Sequence, residues 1–321
     1  MFCKNCGTQI AEGGKFCPKC GTPVGGVDSE NVNQQSVPST HILRNLLDNK
    51  NIIQTEKMGC FTVFEHQEDL SVVPTEAPLA YFMRQMNCKK RQVLCTLNGN
   101  SVKTQAGAMQ WIAGNIESET GIKGVGGFLK GIINSAVTGE STVKPLYRGN
   151  GLLMLEPTYQ YLLIEDIGAW GSSGCVMQDG LFLACDGTLQ ESVIMRDNLS
   201  SAIAGGEGLF NLVLSGNGYA VFESPVPRTE LYEIELQDDV FKIDGNMAIA
   251  WSGSLQFTVE RSSKTITGSI INGEGLVNVY RGTGKILFCP TITGTEMKTN
   301  NSVQQTTGTK GIGDAILEAL S

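Results

Sequence analysis

The chain has 321 residues, with 24 lysines and arginines against 32 aspartates and glutamates, a formal net charge of -8. This negative charge repels phosphate backbones and anionic lipids, which disfavours nucleic acid as a partner and makes any membrane contact weak. The ten cysteines do not form a disulfide framework, and neither a secretory signal nor an apolar run of about 18 residues occurs, so we expect a cytoplasmic protein.

The first elements are two Cys-x2-Cys pairs separated by ten residues, each followed by a glycine. Two residues between thiolates let one tight turn direct both sulfurs at a single tetrahedral ion. The spacing therefore predicts a zinc ribbon over residues 1–24 with one structural Zn²⁺. Its four ligands are Cys3, Cys6, Cys17 and Cys20. The alternative, a redox Cys-x2-Cys, is disfavoured because the pairs are adjacent and no βαβ pattern surrounds them.

Residues 25–40 are rich in Gly, Ser, Asn and Gln and are predicted to form a flexible linker. Zinc ribbons often contact nucleic acid or another protein. Here the nearby lysines are balanced by Glu12 and by the two negative charges of a tetrathiolate zinc centre. We therefore expect an unknown protein partner for the ribbon.

Residues 41–290 repeat themselves. A Gly-Glu pair recurs at Glu140, Glu207 and Glu274, at a regular spacing of 67 positions. Each is followed by a Gly-x-Gly, interpreted as a hairpin turn, at Gly149/Gly151, Gly216/Gly218 and Gly282/Gly284. Upstream apolar runs align at Gly114, Gly187 and Gly253. The pattern predicts a mostly β body of tandem sandwich-like or barrel-like units near 100–157, 175–224 and 241–290.

Two further segments have helical character. Apolar residues recur at helical spacing over 121–138, which predicts one inserted helix that lies on the β body or at a subunit interface, with a lipid-surface helix as the alternative. Residues 291–321 are predicted to be a flexible tail that ends in a short helix.

The body resembles a known family, the mitochondrial-biogenesis proteins grouped under altered inheritance of mitochondria. The resemblance rests on AYFMRQMN (80–87), QAGAMQWIAGN (105–115), DGLFLACD (179–186), GGEGLFNL (205–212) and GEGLVNVYRGTGK (273–285). It implies tandem units similar to the tryptophan RNA-binding attenuation protein and assembly into homo-oligomers, with a trimer favoured. It supplies no catalytic residue, and the ribbon is an added module.

RNA binding does not carry over from that resemblance, because the corresponding turns hold acidic residues, namely Asp179, Asp186, Glu207, Asp244 and Glu274. The two histidines, His41 and His66, precede the repeats, so a Ser-His-Asp site or a cupin-like metal centre in the body lacks its imidazoles. We therefore expect no enzyme. The favoured function is a scaffold or interaction protein; the alternatives are a nucleic-acid-associated regulator acting through the ribbon and a membrane-surface or small-ligand binder.

Overall fold

The computed structural model describes residues 8–9, 41–119, 144–195, 210–244, 247–261 and 276–291. The chain divides into two compact units, Met1–Ser39 and Thr40–Ser321. Most of the ribbon, the linker, the predicted helix over 121–138, the three repeated Gly-Glu pairs and almost all of the tail lie outside the described residues. The fold described below is that of Thr40–Ser321, here called the β body; the word unit is used from here on for its repeats.

Strands dominate the β body, as the apolar runs and the glycine spacing predict. In chain order the elements are β1 Ile52–Met58, β2 Phe61–His66, α1 Ala77–Gln85, β3 Arg91–Thr104, β4 Met109–Glu119, β5 Leu146–Leu155, β6 Tyr161–Asp166, β7 Cys175–Met177, β8 Phe182–Asp186, β9 Gln190–Met195, β10 Phe210–Ser215, β11 Tyr219–Ser224, β12 Tyr232–Asp244, β13 Ala248–Ser252, β14 Gln256–Arg261 and β15 Leu276–Phe288. The mostly β class is confirmed. Helix α1 was not expected from the sequence.

The strands form two antiparallel sheets. The first has the order β1-β2-β3-β8-β11-β6, with β5 also paired to β3 and β4 paired to β5. The second has the order β12-β15-β13-β7-β10-β9, with β14 also paired to β15. Strands from the middle of the chain therefore contribute to both sheets.

The tandem repeat is confirmed by backbone pairing. In the first unit (91–156), β5 lies between β3 and β4. In the third unit (232–289), β15 pairs with β12 on one side and with both β13 and β14 on the other. The second unit (161–224) has the same plan with each strand broken in two. The same backbone hydrogen bond closes all three units, at 2.7–2.8 Å. Its donor and acceptor are Glu156 N to Ala108 O, Glu223 N to Leu181 O and Cys289 N to Met247 O.

The interpretation of the Gly-x-Gly pairs as hairpin turns is wrong for all three copies, because β10 and β11, which flank the second pair, lie in different sheets and do not pair with each other. Gly149 and Gly151 lie inside β5, and the third pair lies inside β15, while the second pair lies between β10 and β11. All six glycines have positive φ, from 107° to 156°. A Cβ on Gly151 would lie 2.2 Å from the Ala113 carbonyl oxygen. The glycines therefore let a continuous strand bend against its neighbour.

Three large hydrophobic clusters and one small one lie among the described residues of the body, and each large cluster combines side chains of two neighbouring units. The first contains Phe61 and Leu153 and takes in Val221 of the second unit. The middle cluster, which contains Phe222, takes in Leu287 of the third unit. Among the residues that the structure describes, no cluster joins the first unit to the third. Within the described residues the repeat is thus open, with a first and a last unit.

Candidate functional site

The four predicted zinc ligands, Cys3, Cys6, Cys17 and Cys20, lie outside the described residues. Their chemistry fits the metal, because four thiolates in two Cys-x2-Cys pairs make a complete tetrahedral set with no position left for substrate. Within the described ranges no group of three His, Cys, Asp or Glu side chains is placed to hold a metal ion.

Four of the six described cysteines of the body are poorly suited to nucleophilic chemistry. Burial, together with the nearby charge of Asp186, raises the pKa of the Cys60 thiol to about 12, and burial raises the pKa of Cys185 to about 12 as well. Burial also raises the pKa values of Cys95 and Cys175. Because the thiolate is the reactive form, these side chains act as small apolar groups.

Asp186, one of the acidic turn residues, has a structural role. One carboxylate oxygen accepts a hydrogen bond from the Tyr219 backbone N–H at 2.7 Å, and the other lies 3.6 Å from Cys60 Sγ. The carboxylate thereby ties the turn after β8 to the strand that follows Gly218. His66, one of the two histidines, hydrogen bonds through Nε2 to Gln92 Oε1 at 2.9 Å.

A buried arginine organises the polar network next to α1. Arg91 is 4% exposed, and its guanidinium lies 2.8 Å from Glu65 Oε2 and 4.0 Å from the centre of the Tyr161 ring. Partial burial acts to raise the pKa of the Glu65 carboxyl, but the hydrogen bond from Lys89 and the charge of Arg91 lower it on balance. Sequence reasoning missed this network, although the basic run at residues 89–91, next to an apolar strand, marks it.

A second network fixes the segment before α1. Asp69 accepts hydrogen bonds from Tyr159 Oη at 2.6 Å and Ser71 Oγ at 2.7 Å, and it pairs with Lys90 at 2.9 Å. Burial opposes ionisation of Asp69, but these bonds hold its pKa well below the usual range, and burial and Asp69 raise the pKa of Tyr159 to about 12. The adjoining cavity measures about 10 Å³, room for no more than a water molecule.

Helix α1 itself is unusually exposed. None of its residues is buried, and Leu79, Tyr81 and Phe82 are each more than half exposed. Large exposed apolar patches mark contact surfaces. In the sequence, this feature corresponds to the apolar run at 80–87, from which only the family resemblance was inferred.

Charged groups also link the second unit to the third. Glu165 pairs with Arg228, and Lys285 lies 3.5 Å from Glu233 Oε2 and 4.4 Å from the centre of the Trp170 ring. Burial raises the pKa of the Glu165 carboxyl, and the positive charges of Arg228 and Lys285 oppose that shift. The contact of Lys285 with Trp170 thus joins the third unit to the second, and Arg228 joins Glu165 to the segment between the two units.

The fold and the cysteine motif define a tandem-repeat β protein with an N-terminal zinc-ribbon domain. A zinc-ribbon family matches residues 2–24, and the family described as mitochondrial biogenesis AIM24 matches residues 84–291. The chain therefore belongs to the AIM24 family and carries a zinc ribbon in addition.

The curated relative found is an uncharacterized protein of Streptococcus pyogenes serotype M6, 32% identical over 198 residues, which cover 59% of this chain and 76% of the relative. A crystal structure of a Streptococcus pyogenes protein matches with a TM-score of 0.49 and 26% identity, over 69% of this chain and 95% of that one.

In the part of the chain that the structure describes, no helix has the length and apolar character needed to cross a bilayer.

Proposed function

We propose that this chain is a non-enzymatic interaction protein, a homo-oligomeric β body that displays structural zinc ribbons on flexible tethers for contact with a protein partner. One observation carries the proposal. The ribbon match at 2–24 falls wholly within one compact unit of the chain, and the AIM24 match at 84–291 falls wholly within the other. A separable small module joined to a large body is the arrangement of a displayed binding element.

The ribbon contributes the four thiolates of Cys3, Cys6, Cys17 and Cys20, which would hold one Zn²⁺. A bound zinc ion supplies folding free energy to a segment too short to bury a core. The thiolates fix the two turns, and the residues between them form the contact surface. With all four positions taken by protein sulfur, the ion is structural and has no open position for substrate.

Assembly of the body brings several ribbons together in one complex. In a homo-oligomer, with a trimer favoured, several tethered ribbons engage one partner surface, so weak individual contacts add to a firm complex. The body provides the scaffold through its three large buried clusters, and its buried thiols and the charged groups of Arg91 and Glu165 are engaged in packing and ion pairs. This supports a structural role for the body over a catalytic one.

The test uses the full chain. We expect one zinc per chain by elemental analysis, a loss of that zinc in the Cys17→Ser/Cys20→Ser variant, and an unchanged oligomeric mass by light scattering. Cys88→Ser, which removes an exposed thiol of the body, is the matched control and keeps the zinc. A partner captured by the wild type and by Cys88→Ser but not by the ribbon variant supports the proposal. Equal capture by all three contradicts it.

A membrane-surface function is the second candidate, and the exposed apolar side chains of α1 favour it. Leu79→Gln/Phe82→Gln should then abolish co-sedimentation with vesicles, whereas Tyr232→Gln, on an exposed strand position, should not. Failure of the wild type to co-sediment with either neutral or anionic vesicles would remove this candidate.

A further inference from the structure

The chain contains two strand junctions between successive repeat units. At the first, residues 102–104 of β3 pair with residues 184–186 of β8. At the second, residues 175–177 of β7 pair with residues 250–252 of β13. The two junctions use equivalent positions, because residues 102–104 and 175–177 lie opposite equivalent residues of β5 and β10.

Both junctions are bounded by the same pair of backbone hydrogen bonds. At one end, Gly187 N donates to Ser101 O at 2.7 Å, and at the second junction the corresponding bond runs from Gly253 N to Gly174 O at 2.8 Å. The bonds at the other end run from Gln105 N to Leu183 O at 2.7 Å and from Gln178 N to Ile249 O at 3.0 Å. One junction geometry therefore occurs twice in the chain.

A third junction of this kind has both of its halves in the chain but is not formed. The repeat places the first half at residues 240–244 of β12, here called the β12 edge, and the second half at residues 110–114 of β4, here called the β4 edge. Among the described residues, β12 pairs with β15 and β4 pairs with β5, and no strand pairs with the opposite side of either.

Side chains on these two edges are exposed, as expected if neither edge has a strand partner. Ile112 on the β4 edge is 36% exposed, whereas its counterparts Cys185 and Trp251 are 0% and 4% exposed. Val240 on the β12 edge is 45% exposed. Open strand edges of this kind are templates for pairing with another chain.

We propose that the β12 edge of one copy of this chain pairs with the β4 edge of a second copy, which repeats the internal junction between subunits. The register follows from the two existing junctions: Phe241 lies opposite Ala113, Lys242 opposite Ile112, and Ile243 opposite Trp111. The bounding hydrogen bonds run from Gly114 N to Val240 O and from Asp244 N to Gln110 O.

A second copy is favoured over closure within one chain because the described clusters join the first unit to the second and the second to the third, and none joins the first to the third. The contact is head-to-tail, so each subunit uses both of its edges and a closed ring leaves neither exposed. This inference rests on the proposed homo-oligomer and assigns its interface.

A charge pair placed at position 112 tests the register. Ile112→Glu puts an anion opposite Lys242, and Ile112→Lys puts a cation there, while both variants remove the same isoleucine from an exposed edge. Directly opposed like charges destabilise a strand pair, and opposite charges stabilise it. We expect the association constant of Ile112→Lys to be about two- to five-fold below that of Ile112→Glu. Lys242→Glu should reverse that order.

Cross-linking distinguishes the outcomes. Under mild oxidation, Ile112→Cys/Lys242→Cys should give disulfide-linked chains, whereas Ile112→Cys/Val240→Cys, displaced by two residues, should give few, because the reach of a disulfide is short. A disulfide within a single chain overturns the inference in favour of self-closure. An oligomer indifferent to every one of these changes overturns it and leaves the proposed function intact. A wild-type chain that is monomeric at all concentrations overturns both.

Discussion

The ribbon segment and the β body depend on different physical sources of stability. The first 24 residues offer four thiolates and few large apolar side chains, so their folding is expected to depend on metal binding. The body buries three clusters of apolar side chains and depends on close packing. Metal removal and core truncation should therefore act on separate parts of one chain.

The largest expected effect is on the ribbon. Chelation of zinc should remove the metal-derived folding free energy, about 10–16 kcal/mol in zinc-finger peptides, and make residues 1–24 exchange amide hydrogens freely. The body should keep its circular dichroism spectrum and its melting temperature. Hydrogen exchange with mass spectrometry measures both regions at once. A body that melts at a lower temperature after chelation would show that the two regions share stability.

Core truncation should destabilise the body and leave the ribbon unaffected. Phe222 is 0% exposed in the middle cluster, and Phe222→Ala should lower the free energy of unfolding by about 3–5 kcal/mol in urea titrations. The zinc content should stay unchanged. Phe82→Ala on the exposed helix α1 is the control, with an expected change within about 0.5 kcal/mol. Equal losses in the two variants would contradict the assigned core.

Equivalent glycines sharpen the comparison within the body. Gly149 and Gly282 both have positive φ, but a Cβ at Gly149 would lie 2.1 Å from the Asn115 carbonyl oxygen, whereas at Gly282 the nearest atom is 3.8 Å away. Each alanine substitution should cost about 1–3 kcal/mol for the backbone conformation, and Gly149→Ala should cost more because a backbone atom must move. Urea titration of both variants measures this, and identical costs would contradict the close approach.

The smallest expected effect is a dependence on acid. The pKa values of Asp69 and Glu65 are lowered in the fold. A lowered folded pKa contributes stability that is present above the unfolded value, near pH 4, and is lost as the pH falls through the folded value. These two carboxyls should therefore contribute a loss of stability below about pH 4, which the raised pKa values of Glu56, Glu165 and Glu223 oppose. Asp69→Asn should flatten that part of the profile of melting temperature against pH, and an unchanged slope would contradict the network.

Local patterns in the sequence predicted much of this fold. The alignment of Gly114, Gly187 and Gly253 agrees with the observed pairing, in which Gly187 and Gly253 donate equivalent hydrogen bonds. The Gly-x-Gly prediction failed because a glycine pair between apolar runs looks the same whether the chain reverses or a single strand bends. Helix α1 was missed because it is only nine residues long and buries none of them, so no core-facing stripe marks it in the sequence. The ribbon ligands, the helix over 121–138, the partner and the oligomer stay predictions.

The sequence by itself determined the mostly β class, the threefold repeat, the family and the presence of a ribbon motif, because each is written in the spacing of nearby residues. Only the tertiary structure decided which strands pair, that β3 joins β8 and β7 joins β13, and that no described strand pairs with the outer edges of β4 and β12. The physical reason is that strand partners lie far apart in the chain. Alternation and glycine spacing specify a strand, while burial against a distant neighbour selects its partner.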